Sequence, residues 1–202
     1  MDDGVAIPRK IPDGFRWLDQ NWPFAGTVVA AVLTALLPVL WHTWPRWLFV
    51  VYVLLVCYCV HQIEEHYGDR FRRYVNALSA GGQDVLTPRA IMWANVGGVW
   101  GVFLLTLLCA GLVDPGFGLV AGYTTLVNAA VHIVMALVRR ESNPGLLTAV
   151  VLFLPFGIWA LTVVNRASGI AVWGHLLGLG SAVLIHLAIV GFAIMRRSAG
   201  RR

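Results

Sequence analysis

The sequence predicts an all-α protein, a polytopic membrane helical bundle with six transmembrane helices, N-in and C-in. Three observations predict it. Hydrophobic residues make up 58% of the 202 and charged residues only 12%, with a mean hydropathy of +0.74. A soluble domain carries about a quarter charged residues, so this chain is too greasy to be covered by its own polar surface. The apolar residues fall into six runs close to the roughly 20 residues that a spanning helix needs. Finally, the basic residues gather between alternate runs. Nine Trp and 21 Gly complete a composition favoured in bilayers.

The elements follow in order. The first run, Phe24–Trp41, comes after both charge signs and the stretch `IPRKIPDG`. No Ala-x-Ala-like site closes it, so it reads as a span and not a cleaved signal. His42, beside Trp41 and Trp44, reads as an interfacial anchor. The second run, Trp47–Gln62, is short, and local thinning or a snorkelling Arg46 would let it reach the interface. The third, Ala90–Val113, holds Gly97, Gly98 and Gly101, small residues that permit close helix contact. The fourth is Phe117–Val138. The turn Asn143-Pro144-Gly145 starts the fifth, Leu146–Val164, which Pro155 is expected to kink. The sixth is Ile170–Met195. Three connections, `HTWPR`, `DPG` and `NRASG`, are very short. Residues 65–89 form the one long connection, with charged and apolar residues at helical spacing, as in an interfacial helix. The whole chain, 1–202, is expected to be a single membrane domain with this cytoplasmic amphipathic connection.

Charge gives the orientation. With the N-terminus inside, thirteen of the fifteen Lys and Arg fall in inner segments, leaving only Arg46 and Arg166 outside. Because Lys and Arg stay cytoplasmic, both termini and residues 65–89 are expected there, in a bacterial inner (plasma) membrane. Fusion reporters at Gly82 and at Arg202 should both report inside; an outside signal at either overturns this topology. The net charge of +5 is spread over these clusters, and no nucleic-acid partner is expected. Cys57, Cys59 and Cys109 lie within apolar runs and imply no disulfide framework.

Ionisable residues inside spans are functional candidates by default. His61 closes the second run, with Glu64 and Glu65 on its next turn. Positions three or four apart share a helix face, so His61 can act with either carboxylate. The adjacent glutamates diverge by about 100°, so one is expected at the site and the other on a neighbour or a second ion. Asn128 and His132 are likewise four apart on the fourth run. His132 lies about 10 Å into the layer and His186, on the sixth run, about 15 Å. Even-numbered spans run in the same direction, so all three histidines reach the inner half of the layer. His66 follows the motif but is rotated away from His61. His175 sits nearer the outer end of the sixth run, and Asn95 is a weaker candidate on the third.

These residue types suit one chemistry. Neutral imidazole and carboxylate bind zinc or iron. His61, Glu65, His132 and His186 are the expected ligands of a divalent metal, zinc ahead of iron. Such an ion activates water; Glu64 or Glu65 would take its proton, and Asn128 would orient His132 or a substrate oxygen. No residue is assigned to an organic cofactor. The plain alternative is that each histidine only hydrogen-bonds across helices and that the carboxylates are a wet helix end.

The chain resembles the HXXEE family of small integral membrane proteins. `HQIEE` matches the motif through His61, Glu64 and Glu65, and Asn128 and His132 match an Asn-x-x-x-His element. Residues 143–145 match an Asn-Pro-Gly-like turn, and His186 a histidine in the last span. The resemblance implies a site, with a metal-dependent enzyme as the expectation, and names no reaction.

The lead reading is therefore a metal-dependent membrane enzyme that acts on a lipid or other apolar small molecule near the cytoplasmic leaflet. A proton-coupled transporter or channel would keep the same His and Glu inside a bundle, but no pair of matched broken helices is evident. A metal-free acid/base isomerase would use the same residues without an ion. The bilayer and a second copy of the chain are the other partners considered.

Overall fold

A computed structural model describes residues 13–78, 86–169 and 172–199. Arg9, Lys10, Arg201 and Arg202, which enter the charge count, lie outside these residues, as do 79–85 within the long connection and both reporter positions. The described residues form helices and turns, with no strand among them. Six helices are long and apolar enough to cross a membrane: Trp17–Thr43, Arg46–Leu78, Pro88–Leu112, Pro115–Arg139, Leu146–Ala167 and Val172–Arg196. Each contains or overlaps one expected run. The helices extend past the apolar windows because polar residues continue the backbone hydrogen bonding beyond the greasy stretch.

The second helix is the axis of the bundle. Its apolar sequence has no polar stripe, and Val50 to Cys59 are buried on every side; a helix that is apolar all round belongs in the centre. The first, fourth and fifth helices surround it, with the third alongside. The sixth helix packs on the fourth and on the Pro115–Phe117 turn. There Gly174 and Gly178 bring its backbone against Leu119 and Tyr123, where an added Cβ would lie 2.7–3.0 Å from their atoms. Small residues substitute for the hydrophobic drive that lipid does not provide.

Local irregularities serve particular residues. The regular part of the second helix ends at His66, where Gly68 and Asp69 turn left-handed, with φ of 65° and 62°. A short helix, Arg70–Leu78, then lies within the expected amphipathic connection. Pro155 does not simply bend the fifth helix. The residues before it, Ala149–Phe153, open into a wider π turn, since proline cannot donate to the preceding turn. A second π segment, Trp93–Trp100, sits on the third helix, turning Asn95 and Trp100 toward Gln62.

Candidate metal centre

The end of the second helix, the last third of the fourth and the start of the fifth meet at one end of the bundle. Among the described residues, His61, Glu65 and His132 form one group, with a ligand atom from each lying within 4.8 Å of the others. All three are buried, His61 completely. His61 and Glu65 face the group together because they are four apart on one helix. His61 Nε2 stands 3.5 Å from Glu65 Oε2, and His132 Nε2 stands 3.6 Å from Glu65 Oε1.

The hydrogen bonds behind the imidazoles assign their protons. Asn143 donates its Nδ2–H to the backbone carbonyl of His132 at 2.8 Å. The oxygen of the same amide therefore faces His132 Nδ1, at 2.7 Å. An amide oxygen only accepts, so Nδ1 carries the hydrogen, and Nε2 of the neutral ring is a bare lone pair. Thr148 reaches the same result for His61. Its hydroxyl donates to Glu64 Oε2, leaving the oxygen to accept from His61 Nδ1 at 2.8 Å. In the neutral ring His61 Nε2 is then also a lone pair, and it has no hydrogen-bond partner.

Two lone pairs and a carboxylate thus face one another in a buried space, an arrangement that calls for a cation. Orienting a ligand histidine through its other nitrogen is the usual device of metal sites. The spacing also suits an ion. Ligands at about 2.0–2.1 Å from tetrahedral zinc lie about 3.3 Å apart, close to the two separations found.

The two glutamates of the motif part company. Glu64 accepts from the backbone N–H of Thr148 at 2.8 Å, from that of Leu147 at 3.2 Å, and from the Thr148 hydroxyl. It caps the positive N-terminal end of the fifth helix and fixes the threonine that orients His61. Glu65 turns into the group, and its Oε2 also lies 3.1 Å from His66 Nε2.

Gly145 closes the floor. Its φ of 95° is one that glycine adopts freely, and it lets the backbone press against both imidazoles. A Cβ there would stand 2.7 Å from His61 Cε1 and 2.8 Å from His132 Cε1. Phe153, from the π turn, packs on His61 with ring centroids 4.3 Å apart. The loop before Gly145 is tied down at Glu141, which takes Arg139 at 2.7 Å and the Tyr74 hydroxyl at 3.2 Å. The bond from Arg139 holds the Glu141 carboxyl below the usual carboxylate range.

The remaining candidates lie elsewhere. Asn128, one turn before His132, donates to the Tyr58 hydroxyl at 2.8 Å, while its buried Oδ1 has no partner. His186 is not brought into the group; its Nδ1 bonds the carbonyl of Ala182 on its own helix at 2.8 Å. The sixth helix packs on the Leu119–Tyr123 face of the fourth, whereas His132 faces the second. Depth along a helix says nothing about direction around it. His175 bridges Tyr123 and Asn165 at 2.9 and 2.8 Å, the plain interhelical role. Asn95 accepts from Gln62 at 2.8 Å and is part of that packing contact. Asn143, Gly145 and Thr148 were not singled out as site residues by sequence, although the turn at 143–145 was visible on the same side as the motif. Thr148 carried no signal at all.

Fold and site together define a polytopic helical bundle of membrane type with a buried His/Glu/His group able to hold a metal ion. The family model described as "Protein of unknown function with HXXEE motif" matches residues 47–160, more than half of the chain, and the chain belongs to that family. No curated protein and no solved structure matches it.

Proposed function

We propose that the protein is a metal-dependent integral membrane enzyme acting on a lipid or other apolar substrate. One observation carries this reading: two imidazole Nε2 lone pairs and the Glu65 carboxylate converge with no donor between them. His61, His132 and Glu65 would hold a divalent ion, zinc before iron, leaving room for a non-protein ligand. When bound, such an ion lowers the pKa of water and polarises an oxygen. Asn143 and Thr148 hold the Nδ1 sides of the two histidines and aim their Nε2 atoms inward. Asn128, with an open buried oxygen one turn away, would hold a substrate or water hydrogen. Glu64 is an anchor in this scheme rather than a base, because helix N–H groups and a hydroxyl already engage it. His186 is left out of the ligand set.

The charge distribution supports a site facing the cytoplasmic leaflet, since Arg139 and Arg140 close the fourth helix just beyond His132. Elemental analysis tests the core of the proposal. Purified wild type should carry about one divalent ion per chain, and His132→Ala should lose it while still folding, with any lipid-converting activity lost alongside. Metal-free wild type that drives pH-gradient-dependent flux in liposomes, with no product formed, would instead make the group a proton site of a carrier. Conversion without metal would favour an acid/base isomerase.

A further inference from the structure

A cavity of about 240 Å³ lies between the first, second and third helices, away from the group's His132 side. Its walls include Asp19, Trp22, His66, Asp69, Arg72 and Ile91. It reaches within one side chain of the His/Glu/His group, because His66 lines it and also touches Glu65 at 3.1 Å. Trp22 is buried against the His66 ring, with centroids 4.9 Å apart, and Phe71 packs edge-on at 5.2 Å. That ring therefore stands between the cavity and Glu65.

The charges around the cavity are unequally satisfied. Arg72 is chelated by both carboxylate oxygens of Asp69. Asp19 receives two hydrogen bonds from Arg89, from Nε at 3.0 Å and Nη2 at 2.6 Å, and both arrive at Oδ2. Asp19 Oδ1 is buried and has no partner. A buried carboxylate oxygen left open is costly, and the missing element is an N–H or O–H donor, best carried on a positive group. The apolar walls, Trp22 and Ile91, suit the carbon skeleton beside it. On the neighbouring outer surface, Trp17 and Leu18 of the same helix turn are exposed, as for an acyl chain to lie along.

We propose that this cavity binds an ammonium-bearing headgroup through Asp19 and so presents an amine-bearing amphiphile to the group behind His66. The presentation rests on the metal-site reading; the binding does not. The test uses the full chain in detergent micelles, both metal-loaded and chelator-treated. It is titrated with short-chain phosphatidylethanolamine, with the matching phosphatidylcholine, which has no N–H, and with free ethanolamine. The ethanolamine lipid should bind about tenfold or more tightly than the choline lipid, the scale of one charge-assisted hydrogen bond. Asp19→Asn should abolish that preference. Should that variant not fold, Arg89→Gln decides: it frees Asp19 Oδ2 as well and should hold or raise the preference. Equal affinities in wild type, an unchanged preference in Asp19→Asn, or a lost preference in Arg89→Gln overturns the proposal. Free ethanolamine binding as tightly as the lipid would assign a small soluble amine, whereas binding by the lipid alone assigns the headgroup. Stoichiometric metal without a headgroup preference rejects only this site; a preference in protein that never holds metal rejects only the metal reading.

Discussion

Glu65→Gln is expected to strip the ion from the protein while leaving the fold intact, with affinity for zinc falling at least a hundredfold. The substitution keeps the volume of the side chain and removes the only negative charge in the group. It also supplies an N–H, which the new amide can hand to one of the bare Nε2 atoms, at 3.5 or 3.6 Å in the present geometry. The variant therefore satisfies without metal what the native group satisfies only with a cation, and its metal-free form should melt no lower than that of wild type. Glu64→Gln is the control one residue away. It weakens the cap on the fifth helix, at a cost of about 1–2 kcal/mol, but leaves the three ligands in place. Metal content should thus fall in Glu65→Gln alone, and the thermal midpoint of the metal-free protein in Glu64→Gln alone. Equal metal loss in both would remove the division of labour between the carboxylates.

Gly145→Ala should be nearly as damaging, by a different route. An alanine at φ 95° is strained before it meets any neighbour, by about 1–2 kcal/mol. Its methyl carbon would then overlap both imidazole rings, at 2.7 and 2.8 Å where ordinary contact begins near 3.4 Å. Neither ring can retreat far, since Phe153 backs His61 and Asn143 holds His132 from the side. The two rings should be forced apart, and metal affinity should fall about ten- to a hundredfold, the range seen when supporting groups around metal ligands are changed. Metal titration of the folded variant checks this, and wild-type affinity would show that the close approach has no bearing on the site.

Much of this arrangement was legible in the sequence. Six helices followed from apolar run length, and the shared face of His61 and Glu65 from a spacing of four. The level of His132 followed from its distance to Arg139. What stayed hidden was direction around each helix axis. His186 sits at a comparable level but on a helix that packs elsewhere, and no count of residues along a chain reveals that. Glu65 was expected among the ligands and lies in the group, but the capping role of Glu64 was hidden for a related reason. It depends on where the fifth helix begins in space, and the first N–H that Glu64 caps lies 83 residues further on, at Leu147. Asn143 reads in sequence as a turn former, and only the folded loop shows its amide behind His132. The π turn of the fifth helix was half legible: Pro155 announced an irregularity but not its form.

The dipeptide Glu64-Glu65 has a developmental consequence. A nascent chain makes the second and fourth helices before the fifth emerges, so His61, Glu65 and His132 exist early but without Thr148 or Gly145 at hand. Only when the fifth helix docks on Glu64 does one imidazole acquire its fixed proton and the floor close beneath both. The centre is therefore matured by the same handshake that seats the helix, and an ion offered to the half-made bundle would find its donors unaimed. Any loading with an ion would then wait on the completion of assembly.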